Sequence, residues 1–213
     1  MNDQEFIKSL SKNHSQIRSL PYANKRAVLF GILSFIFLLS VVYFLGGLRN
    51  LADDYGLNLQ TLELLTSLTA FFSVLMISFN STIPGNSVNT AMKVFYFSSF
   101  IFVSSLIIRL FFLPTGYAPM VHRVFHCYKE VLFYAAGIQM FLYWRISKGV
   151  ITNMKVTVTY TTLAAAILPL MLMSLGCCIT PVHIIESHFI PLAIYTLVMA
   201  MAQYHFLRKN YEY

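Results

Sequence analysis

Apolar residues fill six long runs along this chain, and polar residues are confined mainly to a leading segment and the short gaps between runs. The runs cover residues 27–48, 62–83, 92–113, 125–144, 156–175 and 189–206. Each is about 20 residues long, the length an α-helix needs to cross the hydrocarbon core of a bilayer. The pattern predicts an all-α membrane protein, a bundle of six transmembrane helices. Breakers punctuate it: Gly46 and Gly47 close the first run, Pro84, Gly85 and Asn86 make a turn after the second, and Pro169 predicts a kink in the fifth. Arg109, about one turn from the end of the third run, has the position of a side chain that snorkels to the interface.

The one substantial polar segment comes first. Within residues 3–20, Phe6, Ile7, Leu10 and Ile17 recur at helical steps, with Asn2 or Asp3 placed as an N-cap and Pro21 as a stop. Lys8, Lys12, Arg18, Lys25 and Arg26 would hold such a helix on anionic lipid. The same apolar stripe would equally serve to dock on a protein. No A-x-A type cleavage site follows the first run, so that run reads as a retained anchor. The organisation expected is a cytoplasmic amphipathic segment at 1–26, a transmembrane domain at 27–207 and a tail at 208–213.

Composition sharpens this picture. Of 213 residues 57% are hydrophobic and only 11% charged, and mean hydropathy is +0.66; a soluble domain has about a quarter of its residues charged. Six spans leave no room for a separate soluble catalytic domain. The net charge of +7 is spread over helix ends with no long basic face, which argues against direct nucleic-acid binding. Six spans place both termini on one side, with eleven Lys and Arg residues there against four (Arg49, Arg109, Arg123, Lys129) on the other. The positive-inside bias makes both termini cytoplasmic.

That topology collects the chemistry-bearing residues on the outer face. Residues 176–191, G-C-C-I-T-P-V-H-I-I-E-S-H-F-I-P, read as a loop rich in thiol and imidazole groups. Cys177, Cys178, His183 and His188 there join His122, His126 and Cys127 at the start of the fourth run. Thiolate and imidazole together suit zinc, copper(I) and other soft or borderline ions. Glu130, three residues from Cys127 and four from His126, shares a helical face with both. His183 and His188, five apart, are out of phase on a regular helix, so a loop-to-helix transition is expected to bring them together. A disulfide from Cys127 to Cys177 or Cys178 in an oxidising compartment is a rival arrangement. Buried thiols acting only as small hydrophobes are another.

No Ser-His-Asp set, Gly-rich phosphate loop or C-x-x-C motif appears, so the chain does not read as an enzyme. A membrane thiol oxidoreductase that exchanges with a quinone would use two cysteine pairs, and three cysteines fall short. A small metal permease or transport accessory would need inner ligands, for which Met140, Met171, Met173, Met199 and Met201 are the candidates. The chain shows no internal repeat of the kind secondary transporters carry.

Three motifs then carry a resemblance. The first is D-x-x-F-I-x-x-L at Asp3, Phe6, Ile7 and Leu10, followed by Ile17, Leu20, Pro21 and Arg26. The second is Cys127 opening the fourth run with another cysteine about fifty residues later. The third is H-x4-H-x2-P at His183, His188 and Pro191. In this order the chain resembles the NrsF family of six-span membrane anti-sigma factors. The resemblance covers almost the whole chain and departs where Cys177 and Cys178 precede Ile179, Thr180 and Pro181, in place of one cysteine followed by proline. It implies a bacterial inner-membrane protein whose N-terminal segment, through Phe6, Ile7, Leu10, Ile17 and Leu20, holds an extracytoplasmic-function sigma factor. It also implies release when the outer Cys and His residues meet heavy metal or oxidant, as a transient zinc or copper site or a disulfide.

Overall fold

The structure, a computed structural model, describes residues 22–44, 59–83, 85, 87–112, 124–146, 151, 153–176 and 181–211. The N-terminal segment with Phe6, Ile7, Leu10, Ile17 and Leu20 falls outside these residues, as do Cys177 and Cys178. The described residues form α1 (Ala23–Phe44), α2 (Leu59–Asn80), α3 (Asn89–Phe112), α4 (Val124–Ile146), α5 (Met154–Gly176), a single turn α6 (Pro181–Ile184), a π-helical turn (Ile185–Phe189) and α7 (Ile190–Tyr211). No strand occurs among them. The last three elements follow one another without interruption, so 181–211 is one helical rod with a wider turn near its start.

Among the described residues, five stretches are long and apolar enough to cross a membrane: Ala23–Val41, Thr61–Asn80, Asn89–Ile108, Met154–Met173 and Val182–Lys209. They give the chain its transmembrane character. The 23-residue α4 has the length but is more polar, carrying Lys129, Glu130, Gln139 and Arg145, and it is not among the five.

Contacts between helix ends fix how the rods run. Asn80 Nδ2 at the end of α2 donates to Asn24 Oδ1 at the start of α1, 2.7 Å away. Ser81 just past α2 shares a 2.8 Å hydrogen bond with Thr157 near the start of α5, and Tyr96 and Tyr160 join the starts of α3 and α5 through their hydroxyls at 3.2 Å. Tyr143 and Phe206 meet near the ends of α4 and α7, ring centroids 6.2 Å apart. The helices therefore alternate in direction. One end of the bundle gathers the starts of α1, α3 and α5 with the ends of α2, α4 and α7; the other gathers the start of α4 with α6.

The centre is α5, which packs on α1, α2, α4 and α7 and buries 78% of its apolar span against 22% for α3. Its sequence permits this. Ala164, Ala165 and Ala166 are buried with no bulk to hold neighbours away. Thr157, Thr161 and Thr162 satisfy their hydroxyls on carbonyls one turn back, at Asn153, Thr157 and Val158. At the α1–α2 crossing Gly31 plays the same part: a Cβ there would lie 2.5 Å from Phe72 Cε1. Outward faces are apolar, with Phe37, Phe97, Phe100, Phe111, Phe133 and Leu197 exposed, as lipid contact requires.

Candidate metal centre

Cys127 lies in the first turn of α4 on the face that continues through Val131, Tyr134, Ile138 and Leu142 into the core, and it is buried. Across from it sits the π turn, which packs on α4, α5 and α7. Cys127, His183 and His188 each offer one ligand atom here, and these atoms all lie within 4.8 Å of one another.

The two histidines meet because the helix widens. At 3.6 residues per turn, five residues overshoot one turn by about 140°, which would point the rings apart. In the π turn the backbone N–H of Ile190 donates to the carbonyl of Ile185, five residues back, and the extra residue brings the i and i+5 side chains to one face. The ring centroids are then 5.2 Å apart at 72°. Pro191 explains the location. It has no N–H, and its ring crowds the carbonyl four residues back, Ser187; a turn widened just before it relieves the clash. The sequence expectation of a loop through 176–191 is thus corrected over its described part. From Pro181 onward the chain is helical, with Pro181 at a first position that has no need of its N–H. The expected loop-to-helix transition between the histidines is a π turn inside a continuous rod.

His183 Nδ1 is 3.3 Å from Ser187 Oγ, so with Nδ1 protonated the ring donates to the hydroxyl and turns its Nε2 lone pair to the site. Such an outer hydrogen bond is how a ligand imidazole is oriented. His183 Nε2 and both nitrogens of His188 are buried with no hydrogen-bond partner among the described residues. His188 is fully buried. Buried polar atoms are nearly always satisfied, and an ion taking the thiolate and one nitrogen from each ring would satisfy two of these three atoms. The fit is close: metal bonds of about 2.0–2.3 Å in a tetrahedral site put ligand atoms about 3.5 Å apart, so the widest pair here would contract by little more than about 1 Å. One thiolate and two imidazoles suit zinc or copper(I), and among the described residues they supply three of the four positions of a tetrahedral site.

Of the residues predicted from sequence, Cys127, His183 and His188 come together. Glu130 is exposed on α4 and does not join them. The side chain of His126 and the residues Cys177 and Cys178 lie outside the described set. Ser187 was overlooked in the sequence; its signal was a hydroxyl four residues after His183. Gln139 was overlooked too: it is buried, and neither amide atom has a partner among the described residues. The five methionines differ in burial, with Met199 half-buried on α7. Met171 and Met173 are core residues on α5, whereas Met140 and Met201 are exposed.

No protein-family model, no curated protein and no solved structure matches the chain. The resemblance to membrane anti-sigma factors therefore rests on the motifs alone, and the metal-ligand reading rests on geometry.

Proposed function

We propose that this protein is a membrane sensor that takes a zinc or copper(I) ion, or another soft or borderline ion, at Cys127, His183 and His188, and acts as an anti-sigma factor through residues 1–26. The observation that carries the sensing half is the cluster itself, one thiol and two imidazoles with ligand atoms within 4.8 Å of one another, each ring holding a buried nitrogen with no hydrogen-bond partner among the described residues. The capture half is carried by the apolar stripe Phe6, Ile7, Leu10, Ile17 and Leu20 and its likeness to the family pattern. In this reading the protein is a six-span bundle in the bacterial inner membrane with both termini cytoplasmic, and the cluster faces outward. Cys177 and Cys178, which follow α5, would supply a further thiolate or a disulfide partner for Cys127.

An ion held by Cys127 on α4 and by both histidines joins two helices and specifies the wide turn between the histidines. Occupancy thereby sets the phase of α7 against α4, and the bundle passes that setting to the segment that enters α1. Shifting a two-state element from 1:99 to 99:1 takes roughly 5.5 kcal/mol of differential binding. Structural zinc in small peptides supplies about 10–16 kcal/mol in total, so about half of such an energy expressed differently in the two states is enough.

The test uses the full-length protein in native membranes as bait, with and without added zinc, beside a variant carrying Phe6→Asp, Ile7→Asp and Leu10→Asp. Capture of a sigma factor by the unaltered protein alone, diminished by zinc, is expected. Stoichiometric zinc binding with no sigma factor in either sample would leave a metal protein and remove the anti-sigma reading.

A further inference from the structure

The opposite end of the bundle holds a second polar group that the metal reading does not use. Arg26, on the first turn of α1, is nine-tenths buried, and its Nη1 is buried with no hydrogen-bond partner among the described residues. Its guanidinium sits 5.1 Å from the centre of the Phe79 ring. One turn further along α1, Phe30 stacks on Phe141 of α4 with centroids 5.1 Å apart. Because α1 and α4 run in opposite directions, the residues four beyond that pair toward the same end are Arg26 and Arg145. Arg145 lies over Trp144 at 5.7 Å, and its charge acts on Arg26.

Two guanidinium groups thus share one end of neighbouring helices, and none of the acidic residues among the described ones lies with them. The acidic residues among the described ones are Glu63, Glu130 and Glu186, and all three lie toward the other end of the bundle, near the starts of α2 and α4 and in the π turn. Lys25, Lys93, Lys155, Arg208 and Lys209 share the end with the arginines and deepen the positive field. Phe79 and Trp144 hold the guanidinium faces, which leaves the N–H edges to an oxyanion; a planar fork of this kind matches phosphate oxygens. The surroundings say where that phosphate comes from. Tyr22 is exposed, Lys25 lies 5.8 Å from its ring and Trp144 is half exposed, an aromatic and basic fringe at the end of an apolar span. Such a fringe sits at headgroup level, and basic pockets between membrane helices bind anionic headgroups.

We propose that Arg26 and Arg145 form a binding site between α1 and α4 for the phosphodiester of an anionic phospholipid. The site is independent of the metal cluster. Delipidated full-length protein in neutral detergent, titrated with phosphatidylglycerol or phosphatidylcholine and read by native mass spectrometry, tests it. Preferential, saturable uptake of phosphatidylglycerol is expected, weakened about tenfold or more in Arg145→Gln, the cost of losing a charge-assisted contact. Arg26→Lys, which keeps the charge and loses the fork, should fall between. Helical circular dichroism and a cooperative thermal transition matching the unaltered protein report that the variants are folded; should Arg26→Lys fail that check, Arg145→Gln, at the half-buried rim, carries the test. Equal uptake of the two lipids, or unchanged uptake by folded Arg145→Gln, overturns the proposal. Displacement of the lipid by inorganic phosphate at equal concentration overturns the lipid as its source.

Discussion

His188 gives the sharpest test of the proposed metal centre, because the same side chain should be a liability without metal and an asset with it. Its ring is fully buried, and neither nitrogen has a hydrogen-bond partner among the described residues. A buried polar group left unsatisfied costs about 1–3 kcal/mol. His188→Leu removes both nitrogens and roughly keeps the volume, at a shape penalty under about 1.5 kcal/mol. In chelator the variant should therefore equal or exceed the unaltered protein by up to about 2 kcal/mol, a rise of several degrees at most for a chain of this size. Zinc at a hundred times its dissociation constant adds about 2.7 kcal/mol to the unaltered protein and nothing to the variant, so the order of stability reverses. Thermal unfolding of detergent-solubilised protein, with chelator and with zinc, reads both values. A variant less stable than the unaltered protein by about 2 kcal/mol in chelator, with no separation by zinc, would refute the reasoning and make His188 a packing residue.

Four further outcomes follow, three from the proposed site and one from the helix packing. Cys127→Ser should fold and lose most of its zinc affinity, measured by competition with a chromophoric chelator. Zinc should leave the unaltered protein on acidification, because protons compete for thiolate and imidazole. Pro191→Ala restores an N–H able to reach the Ser187 carbonyl, a gain of about 1 kcal/mol for the regular helix, and should weaken zinc binding by about fivefold with every ligand still present; unchanged affinity would show that proline does not maintain the wide turn. Gly31→Ala places a methyl against Phe72 and Leu75 and should lower stability by about 1–3 kcal/mol, whereas Gly137→Ala, where a Cβ meets nothing within 4 Å, should leave it unchanged or slightly raised.

Helix positions were legible because a membrane helix announces itself by length and hydropathy alone, and runs two, three, five and six coincide with apolar helices. The first helix shows where that logic slips. The apolar run begins after Lys25 and Arg26, yet α1 starts at Ala23, because Arg26 folds over Phe79 inside the bundle instead of capping the run from outside. The fourth run was weighed by its apolar half, while Lys129, Glu130 and Arg145 at its ends lower its claim to cross a membrane. At the site, Cys127, His183 and His188 were visible as residue types, but their convergence was not. Five-residue spacing argues against a shared face on any regular helix, and two prolines with a glycine argued for a loop. What the sequence does not display is that a proline can be accommodated by widening the turn before it, and that this same widening aligns the histidines.

In the proposed function, the wide turn gives an ion bound at one end of the bundle a route of influence to the other. His183 and His188 flank the extra residue, so an ion bound to both holds the π phase, and its loss leaves the His188 nitrogens to oppose that phase by about 1–3 kcal/mol. Relaxation toward a regular helix rotates α7 relative to α6 by up to one residue's step, about 100°, and α7 is one rod to Tyr211. Its far end touches α4 where Phe206 meets Tyr143, at the end of the bundle where α1 begins. If the protein captures a sigma factor as proposed, Phe206→Ala should therefore leave zinc affinity intact and uncouple it from capture, so that the variant holds the sigma factor equally with and without zinc. A full zinc response in Phe206→Ala would mean that the signal leaves α7 before its final turns, and the search for the coupling contact would move to the α5–α7 packing at Leu192 and Tyr195.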